Sequence, residues 1–276
     1  MSKELRKTSV KLAFAITVGA LISPAAQASS IIGGSTLLNS ASLSQLEGYL
    51  GEGQLDVTNI FTKHAASETQ SASTSYDFHT AADGQGRTFS LLHVSGTEQA
   101  LDGSKTQFSK VIGGYNPQSW ASISGYNLVS DPTQRTAFLF NLSDSTLFKE
   151  NTILDPNSFD AGAFQTYNVA SNGPIFGGGF DLYTDSTLTF GYTSSYSYSN
   201  NLPFTGLNPL LLGLAGNSIN SNFGGNGFNI DDLEVFTIAN SPEVSSVPLP
   251  AALPLMSSAL GLFGLGAARR KNKSLA

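Results

Sequence analysis

The sequence contains no cysteine, and its two methionines, Met1 and Met256, lie towards the two ends of the chain. Residues 29–246 therefore contain no sulfur. Disulfides, thiolate nucleophiles and cysteine–metal sites are excluded from this region because each of them needs a thiol. Redox chemistry at a thioether is excluded for the same reason. A region of about 200 residues can still bury enough apolar surface to fold without cross-links.

Basic residues are also scarce in the middle of the chain. Residues 29–246 hold 6 of the 14 Lys and Arg residues but 19 of the 20 Asp and Glu residues, which gives a formal charge of −13. Nucleic-acid affinity comes mostly from Lys and Arg side chains that displace counterions from the phosphate backbone. The charge therefore excludes a nucleic-acid partner, and it suits a soluble domain outside the cell.

The N-terminal residues have the features of a secretory signal peptide. Basic residues precede an apolar segment at residues 12–22, and a small-residue A-x-A pattern ends at Ala28. The apolar segment is too short to span a bilayer, which needs about 20 residues. We therefore predict that residues 1–28 direct the chain to the Sec translocon and that signal peptidase cuts between Ala28 and Ser29. Export across the inner membrane would follow.

The C-terminal residues predict a membrane segment. A polar linker at residues 241–246 precedes an uncharged apolar stretch at residues 251–268, which a cluster of Arg and Lys residues follows. About 18 apolar residues is the lower limit for a membrane helix. The basic cluster is expected to stay on the cytoplasmic side. We predict a transmembrane helix at residues 251–268 that associates transiently with the inner membrane and leaves the acidic domain on the exported side.

A proline-containing pentapeptide opens this tail, and its residues are Val247, Pro248, Leu249, Pro250 and Ala251. Together with the apolar helix and the basic cluster, it resembles the PEP-CTERM sorting signals of Gram-negative bacteria, in their VPLPA variant. The commoner form has Pro-Glu-Pro at this position. The resemblance covers residues 247–276 and implies that a matching exosortase cleaves near the pentapeptide. It also implies transfer to the cell surface or to extracellular polysaccharide.

Residues 29–240 are predicted to form a mainly β domain. An S-x-x-Q capping box at Ser42 and Gln45 predicts a helix that starts near residue 40 and stops at Gly51. Residues 67–76 read as a polar loop, and residues 55–63 fit either a short helix or a strand. Stretches rich in β-branched and aromatic residues predict five strands, at residues 88–94, 108–112, 136–142, 181–192 and 232–238.

Many strands with little helix between them favour an antiparallel β-sandwich. The continuous apolar run at residues 137–140 predicts a strand that is buried on both faces. Trp120, the only tryptophan, is expected to anchor the core. We further expect at least two of four apolar residues to share one core with Trp120, namely Phe138, Phe140, Val235 and Phe236.

Several blocks of this region resemble, in the same order, those of the TLDc domain family. The first contains Gly113-Gly114-Tyr115 followed by Trp120, and the others are an apolar strand at residues 137–142, a glycine-rich turn at 173–182 and a closing strand at 230–238. Residues 83–89 resemble an earlier block. The resemblance covers roughly residues 36–239, and it implies a β-sandwich with a few short helices.

The TLDc resemblance implies no mechanism. Eukaryotic members are associated with resistance to oxidative damage and with binding of the vacuolar proton pump, and no catalytic set of residues is agreed for the family. An exported bacterial domain would not meet that pump, so the partner does not transfer.

We recognise no catalytic, cofactor or metal constellation in the sequence. His64, His79 and His93 are too far apart for a local H-x-x-x-H metal pair. No serine has a G-x-S-x-G context, and the glycines at residues 177–179 suit positive-φ backbone and close packing. Acidic residues could pair for acid–base chemistry, but turns and strand edges explain them more simply; they are Asp83, Asp181, Asp231, Asp232 and Glu234.

Three functional hypotheses remain open. The first is a non-enzymatic structural or binding protein of the cell surface or extracellular matrix, with a role in polysaccharide or biofilm layers. The second is an enzyme acting on extracellular polymer through two carboxylates about 5–10 Å apart in a groove. The third is protection against oxidative stress, for which a bound metal would have to replace sulfur chemistry.

Overall fold

The computed structural model describes residues 28–153, 160–201, 210–215, 217–218 and 227–241. Most of the predicted signal peptide, the pentapeptide at residues 247–251 and the predicted membrane helix at residues 251–268 lie outside the described residues. No helix within these described ranges is long and apolar enough to cross a membrane.

The described residues form mainly strands, with two α-helices. In chain order the elements are β1 (Ser30–Ile32), α1 (Ser40–Leu50), β2 (Leu55–Thr62), α2 (Ser75–Ala82), β3 (Thr88–Gln99), β4 (Lys105–Asn116), β5 (Gly125–Leu128), β6 (Phe138–Asn141), β7 (Thr146–Lys149), β8 (Phe164–Asn168), β9 (Leu182–Thr184), β10 (Phe190–Thr193), β11 (Asn217–Ser218) and β12 (Gly227–Asn240). Single 3-10 turns occur at Pro132–Gln134, Ala161–Ala163 and Leu210–Leu212.

The principal sheet has the strand order β1-β2-β12-β3-β4-β6-β7, and β5 and β8 form a separate pair. The long strand β12 pairs with β3 along one edge, while its other edge pairs with β10 near its start and with β2 near its end. The strand β12 thus joins β10, and through it β9, to the principal sheet. This arrangement fits the predicted β-sandwich, with one correction: β1 runs parallel to β2, so the sheet is mixed rather than purely antiparallel.

Both faces of the central strands are buried, because successive side chains of a strand point to opposite sides. On β6, Phe138 and Phe140 face one hydrophobic cluster and Leu139 faces the other. All of residues 137–140 are buried, which confirms the sequence prediction for this strand. The cluster that contains Phe138 and Phe140 packs under α1. The cluster that contains Leu139 also includes Trp120 and side chains of α2.

This division corrects the prediction about the core around Trp120. Only Val235 among the four residues named lies in the same cluster as Trp120, whereas Phe138, Phe140 and Phe236 lie on the opposite face of the sheet. The sequence shows that these positions are apolar but does not show which face each one occupies. Trp120 is nonetheless a core residue: it is 1% exposed, and its Nε1 donates to Thr88 Oγ1 at 2.9 Å.

The start of α1 differs from the predicted capping box. The helix cap is Asn39, whose Oδ1 accepts hydrogen bonds from the backbone N–H groups of Ala41 at 2.9 Å and Ser42 at 3.0 Å. Ser42 Oγ accepts in return from the Asn39 N–H. Ser42 therefore takes the third helical position, and not the cap. The predicted stop at Gly51 is confirmed by its left-handed conformation, φ 75°.

Two other local predictions need correction. The end of the predicted polar loop is the first turn of α2, where Thr74 and Asp77 form a capping box. The predicted strand at residues 181–192 is two strands, because Asp185 Oδ1 accepts from the N–H groups of Thr189 at 2.9 Å and Phe190 at 3.1 Å and so closes a tight turn between β9 and β10. The ambiguous residues 55–63 are mostly the strand β2.

Candidate functional site

A cavity of about 290 Å³ lies beside the C-terminal end of α1, β4, the segment that leads into β6 and the end of β7. Its lining combines aromatic and charged residues, which include Tyr49, Tyr115, Phe138, Arg135, Lys149 and Glu150. Residues that are far apart in the sequence meet there because β4, β6 and β7 are neighbours in the sheet.

Three aromatic rings form one side of the cavity. Tyr115 of β4 and Phe138 of β6 are directly paired across the two strands, and their ring centroids lie 5.1 Å apart. Tyr49, from the last turn of α1, meets Phe138 edge to face at 6.3 Å. Tyr49 is half-buried, whereas Tyr115 and Phe138 are each 3% exposed. The aromatic side is therefore fixed by strand pairing and by helix packing.

Glu150 is among the residues that line the cavity, and its carboxyl group is buried behind the cavity wall. Glu150 follows β7 and is 3% exposed, and Gln165 Nε2 donates to its Oε2 at 3.1 Å. Its Oε1 is closed to solvent and has no hydrogen-bond partner of standard geometry among the described residues, although the backbone N–H of Ala137 lies near enough to lower the pKa of the group. Burial raises the pKa of Glu150 to about 8, although the Gln165 hydrogen bond and the nearby charge of Arg135 act in the opposite direction. At neutral pH the group is therefore mainly an uncharged acid, which can donate as well as accept a hydrogen bond.

Arg135 lies beside the cavity, but its hydrogen-bonding groups are occupied. Its side chain is fully buried and forms an ion pair with Asp160. It also donates to the carbonyl oxygens of Val129 at 3.0 Å and Asn151 at 2.5 Å. Arg135 therefore holds the cavity wall together and contributes a positive potential, while leaving little capacity for a ligand.

Lys149 differs from Arg135 in its surroundings. It is exposed, and within the described part of the chain its Nζ makes no ion pair or hydrogen bond. The other charges at the cavity are compensated locally, since Arg135 pairs with Asp160 and Glu52 pairs with Arg87 at 2.5 Å. With Glu150 uncharged, Lys149 leaves the cavity with one uncompensated positive charge in an acidic domain.

Two of the five acidic residues considered from the sequence serve to hold the backbone. Asp181 is fully buried and accepts hydrogen bonds from the backbone N–H groups of Tyr196, Ser197 and Tyr198 at 2.6 to 2.9 Å. Burial nevertheless raises its pKa to about 6. Glu234 is 1% exposed and accepts from the hydroxyl of Ser35 and the N–H of Thr36, so it fixes the N-terminal segment to β12.

The other three acidic residues contact histidines in two places. Asp83 Oδ1 lies 2.7 Å from His79 Nδ1, and the His79 Nε2 atom faces two backbone carbonyls at 2.9 and 3.0 Å. Asp231 and Asp232 both lie near His93 Nδ1, at 3.9 and 3.3 Å. The third histidine, His64, contacts Gln70 and the Ala65 carbonyl instead. Within the described residues, no group of three or more His, Asp or Glu side chains is placed to hold a metal ion.

The cluster around His93 contains a Ser–His–Asp series of contacts across three neighbouring strands. His93 Nε2 lies 2.8 Å from Ser109 Oγ, and His93 Nδ1 lies 3.3 Å from Asp232 Oδ2. In serine hydrolases the aspartate of such a series is buried, and it orients the imidazole. Here the Asp232 side chain is 50% exposed. The cluster therefore matches a hydrolase in the order of its contacts but not in the burial of its carboxylate.

The glycine-rich turn at residues 177–179 has a packing role, as the sequence predicted. Gly177 has φ 83°, and a Cβ atom there would lie 1.9 Å from Asp181 Oδ2. A Cβ at Gly179 would lie 2.5 Å from the Tyr196 side chain. The turn therefore needs glycine so that the backbone can approach the Asp181 carboxylate and its loop.

Sequence reasoning missed the cavity, because no local motif marks it. Glu150 is one of 19 acidic residues in the middle of the chain, and its burial follows from strand order rather than from spacing.

Of the predicted processing residues, the structure describes only Ala28 and Ser29. Ala28 and Ser29 lie at the start of the described chain, where the Ser29 hydroxyl donates to Glu47, and cleavage between them stays a prediction.

The part of the chain that the structure describes is thus mainly β, with two short helices, a mixed sheet buried on both faces and a small polar cavity at its edge. Comparison with known protein families matches residues 31–239 to the TLDc domain, and the chain belongs to this family. The matched region includes every strand of the principal sheet apart from the terminal residues of β1 and β12. A comparison with curated proteins found no significant match.

Proposed function

We propose that this chain is an exported TLDc-domain protein that an exosortase sorts to the cell surface or extracellular matrix, where it has a non-enzymatic binding role in polysaccharide layers. The observation that carries the binding role is the cavity beside α1 and β7, where the exposed Lys149 and the half-buried Tyr49 are among the lining residues. Small-molecule sites are concave, with apolar walls and a few placed polar groups. This cavity is concave, and charged side chains line it alongside the aromatic ones.

The arrangement of the two ends of the domain supports the sorting part of the proposal. Asp56 Oδ1 accepts hydrogen bonds from Ser30 Oγ at 2.6 Å and from Ser241 Oγ at 2.9 Å. These two bonds lower the pKa of Asp56, so the carboxylate stays ionised. Removal of residues 1–28 and of the tail beyond residue 247 would therefore leave intact the contact that joins the two ends.

Processing is tested on protein from the native host. We expect mass spectrometry of the surface fraction to find a mature N-terminus at Ser29 and no residues 269–276. A variant with Pro248→Ala and Pro250→Ala should keep its tail and remain in the inner-membrane fraction. Pro242→Ala, in the linker, is the matched control and should be processed normally. An intact tail on surface-exposed protein would contradict the sorting proposal.

Association with polysaccharide is tested with the same processed protein. We expect it to co-sediment with matrix polysaccharide from its host and to release no reducing ends from it. If the protein stays in the supernatant, the binding role is wrong. Release of sugar fragments that disappears in Asp231→Asn or Asp232→Asn would favour the polymer-cleaving alternative, which needs a pair of carboxylates; these two both lie near His93.

Oxidative protection is the second candidate, since the family includes proteins associated with it. Residues 29–246 contain no Cys or Met, so catalytic turnover of peroxide would need a bound redox metal. We expect the metal-stripped protein to consume hydrogen peroxide no faster than buffer, and iron or manganese to leave the rate unchanged. Catalase serves as the positive control. Metal-dependent peroxide turnover would overturn the non-enzymatic proposal.

A further inference from the structure

We propose that a row of six aromatic rings across β5, β8, β9 and β10 is a second contact surface of the domain, and that it binds an uncharged stretch of extracellular polysaccharide. We call these rings the aromatic row, and in spatial order they belong to Phe164, Tyr126, Tyr167, Phe180, Tyr183 and Tyr192. The inference rests on the proposed function, because it names a further surface and the class of polysaccharide that the domain binds there.

Two pairs of strands and the turn between them build the aromatic row. Tyr126 of β5 and Tyr167 of β8 are directly paired, and their ring centroids lie 4.6 Å apart. Tyr183 of β9 and Tyr192 of β10 are also directly paired, and their rings stack at 4.6 Å. Phe180 lies between the two pairs, 5.7 Å from Tyr167 and 5.9 Å from Tyr183. Strand pairing and one turn residue therefore hold the rings in a continuous series.

The residues of the aromatic row keep part of their surface in contact with solvent. On β9, Leu182 and Thr184 are buried, whereas Tyr183 between them points to the other side of the strand and is half-buried. All six residues of the row are half-buried in this way. They differ in this respect from Tyr115 and Phe138 beside the cavity, which are each 3% exposed. A ligand in solution can therefore reach the row.

The backbone of Phe180 shows that its ring is held in place at an energetic cost. Its φ is 55°, in the left-handed region that bulky side chains rarely occupy. Leu188 has the same φ, but its side chain is fully buried, so core packing explains its conformation. Phe180 is only half-buried. Strained backbone conformations cluster at functional sites, and the ring of Phe180 is the one that connects the two tyrosine pairs.

The absence of charge on these four strands selects a neutral ligand. None of the residues of β5, β8, β9 and β10 is Lys, Arg, Asp or Glu, although residues 29–246 have a formal charge of −13. Asp185, in the turn between β9 and β10, accepts hydrogen bonds from the Thr187 hydroxyl and from two backbone N–H groups of that turn. Burial raises the pKa of Tyr192 to about 12, so its phenol stays uncharged at neutral pH. The acidic domain would repel an anionic polymer, and these strands offer it no cation.

Tyrosine side chains match the two kinds of surface that a sugar presents, namely carbon–hydrogen faces and hydroxyl edges. An aromatic ring offers apolar surface, and the tyrosine hydroxyl adds a polar group at its edge. The Tyr183 hydroxyl accepts from Asn172 Nδ2 at 2.7 Å, and its own proton has no acceptor among the described residues. Because a phenol both donates and accepts, this hydroxyl can still donate to a sugar oxygen.

The area of the aromatic row favours a polysaccharide over a second protein. An aromatic side chain buries about 150–250 Å² when it is covered completely. Six half-buried rings therefore offer much less than the roughly 800 Å² that each partner contributes to a stable protein interface. A narrow row of linked rings suits an extended chain of sugars instead.

The test uses the processed protein from its host and the matrix polysaccharide of the same host, which anion exchange separates into a neutral and an acidic fraction. We expect the protein to co-sediment with the neutral fraction, and this binding should be insensitive to salt because it involves no ion pair. Phe180→Asn removes the central ring, and Asn tolerates the left-handed backbone. This variant should keep its thermal stability and bind the neutral fraction about three- to tenfold more weakly, as expected for a lost aromatic contact.

Tyr183→Phe is the second variant, and it keeps every ring of the row. It removes only the hydroxyl that we expect to donate to the sugar, so binding should weaken about three- to tenfold. Tyr76→Ala is the matched control, since Tyr76 lies on α2 outside the row and is 75% exposed. Its binding should equal that of the wild type. Thermal unfolding of each variant identifies those that remain folded.

Three results would overturn the inference and leave the proposed function standing. The first is co-sedimentation with the acidic fraction alone, and the second is undiminished binding of the neutral fraction by every folded variant. The third is a loss of self-association in sedimentation velocity with polysaccharide binding unchanged, which would assign the row to a second copy of the chain. If the wild-type protein sediments with neither fraction, the proposed function itself is wrong.

Discussion

Asp181 and Glu150 are both buried carboxyl groups, and their surroundings differ. Asp181 accepts three hydrogen bonds from the backbone N–H groups of residues 196–198, whereas Glu150 accepts one from Gln165 and has an oxygen without a partner among the described residues. Burial raises the pKa of both groups, to about 6 and about 8. Burial alone therefore does not show how well a carboxyl group is satisfied, and these two groups differ in the hydrogen bonds that they accept.

The largest expected effect is at Asp181. Asp181→Ala should lower the free energy of unfolding at pH 7 by about 3–5 kcal/mol, because it leaves three buried N–H groups without acceptors. Asp185→Ala is the matched control, since Asp185 also accepts from two backbone N–H groups but lies in an exposed turn. It should cost about 1 kcal/mol. Urea denaturation measures both, and equal losses would contradict the structural role given to Asp181.

A smaller effect is expected in the pH dependence of stability at Glu150. Its folded pKa of about 8 lies above its ordinary value of 4.5, so between these values the folded state binds a proton that the unfolded state has lost. The free energy of unfolding should therefore fall as the pH rises from 5 to 8. Glu150→Gln should remove about 1–3 kcal/mol of this fall, as measured by urea denaturation at several pH values.

Glu68→Gln is the control for this measurement, because Glu68 lies in an exposed loop. It should leave the pH profile unchanged. If the profiles of the wild type and Glu150→Gln were parallel from pH 5 to pH 8, Glu150 would be ionised in the folded protein, and its comparison with Asp181 would have to be revised.

The smallest effect is expected at Lys149. Lys149→Gln should change the free energy of unfolding by less than about 0.5 kcal/mol, as is usual for a surface substitution away from buried contacts. The same thermal or urea experiment measures it. A loss above 1 kcal/mol would mean that Lys149 supports the fold, and the charge of the cavity would then have a structural explanation.

Much of the fold could be predicted from the sequence, because strand patterns, and the stretches that resemble the TLDc family, each lie within a few neighbouring residues. The run at residues 137–140, the stop of α1 at Gly51 and the core position of Trp120 all follow from residue type and spacing. Alternation along a strand gives opposite faces to neighbouring residues, but which of the two faces packs against Trp120 depends on strand pairing and could not be predicted. Val235 and Phe236 are adjacent, and they point into different cores.

The candidate site could not be predicted, and the reason is similar. Tyr49, Tyr115 and Glu150 come from three separate parts of the chain, and only the order of the strands brings them together. Composition identifies many acidic residues but does not show which one is buried. Asp231 and Asp232 were among the five acidic residues that the sequence suggested as paired carboxylates, whereas Glu150 has no distinctive neighbours in the sequence.

The meeting of the two ends at Asp56 has a consequence for the topology of the chain. The hydroxyl oxygens of Ser30 and Ser241 contact the same carboxylate oxygen at 2.6 and 2.9 Å, so they lie no more than 5.5 Å apart. One extended residue spans about 3.5 Å, so a linker of a few residues could close the backbone into a ring. The domain could then be opened at the exposed loop at residues 67–72 to give a circular permutant with the same sheet, because ends that lie close together permit such rearrangement.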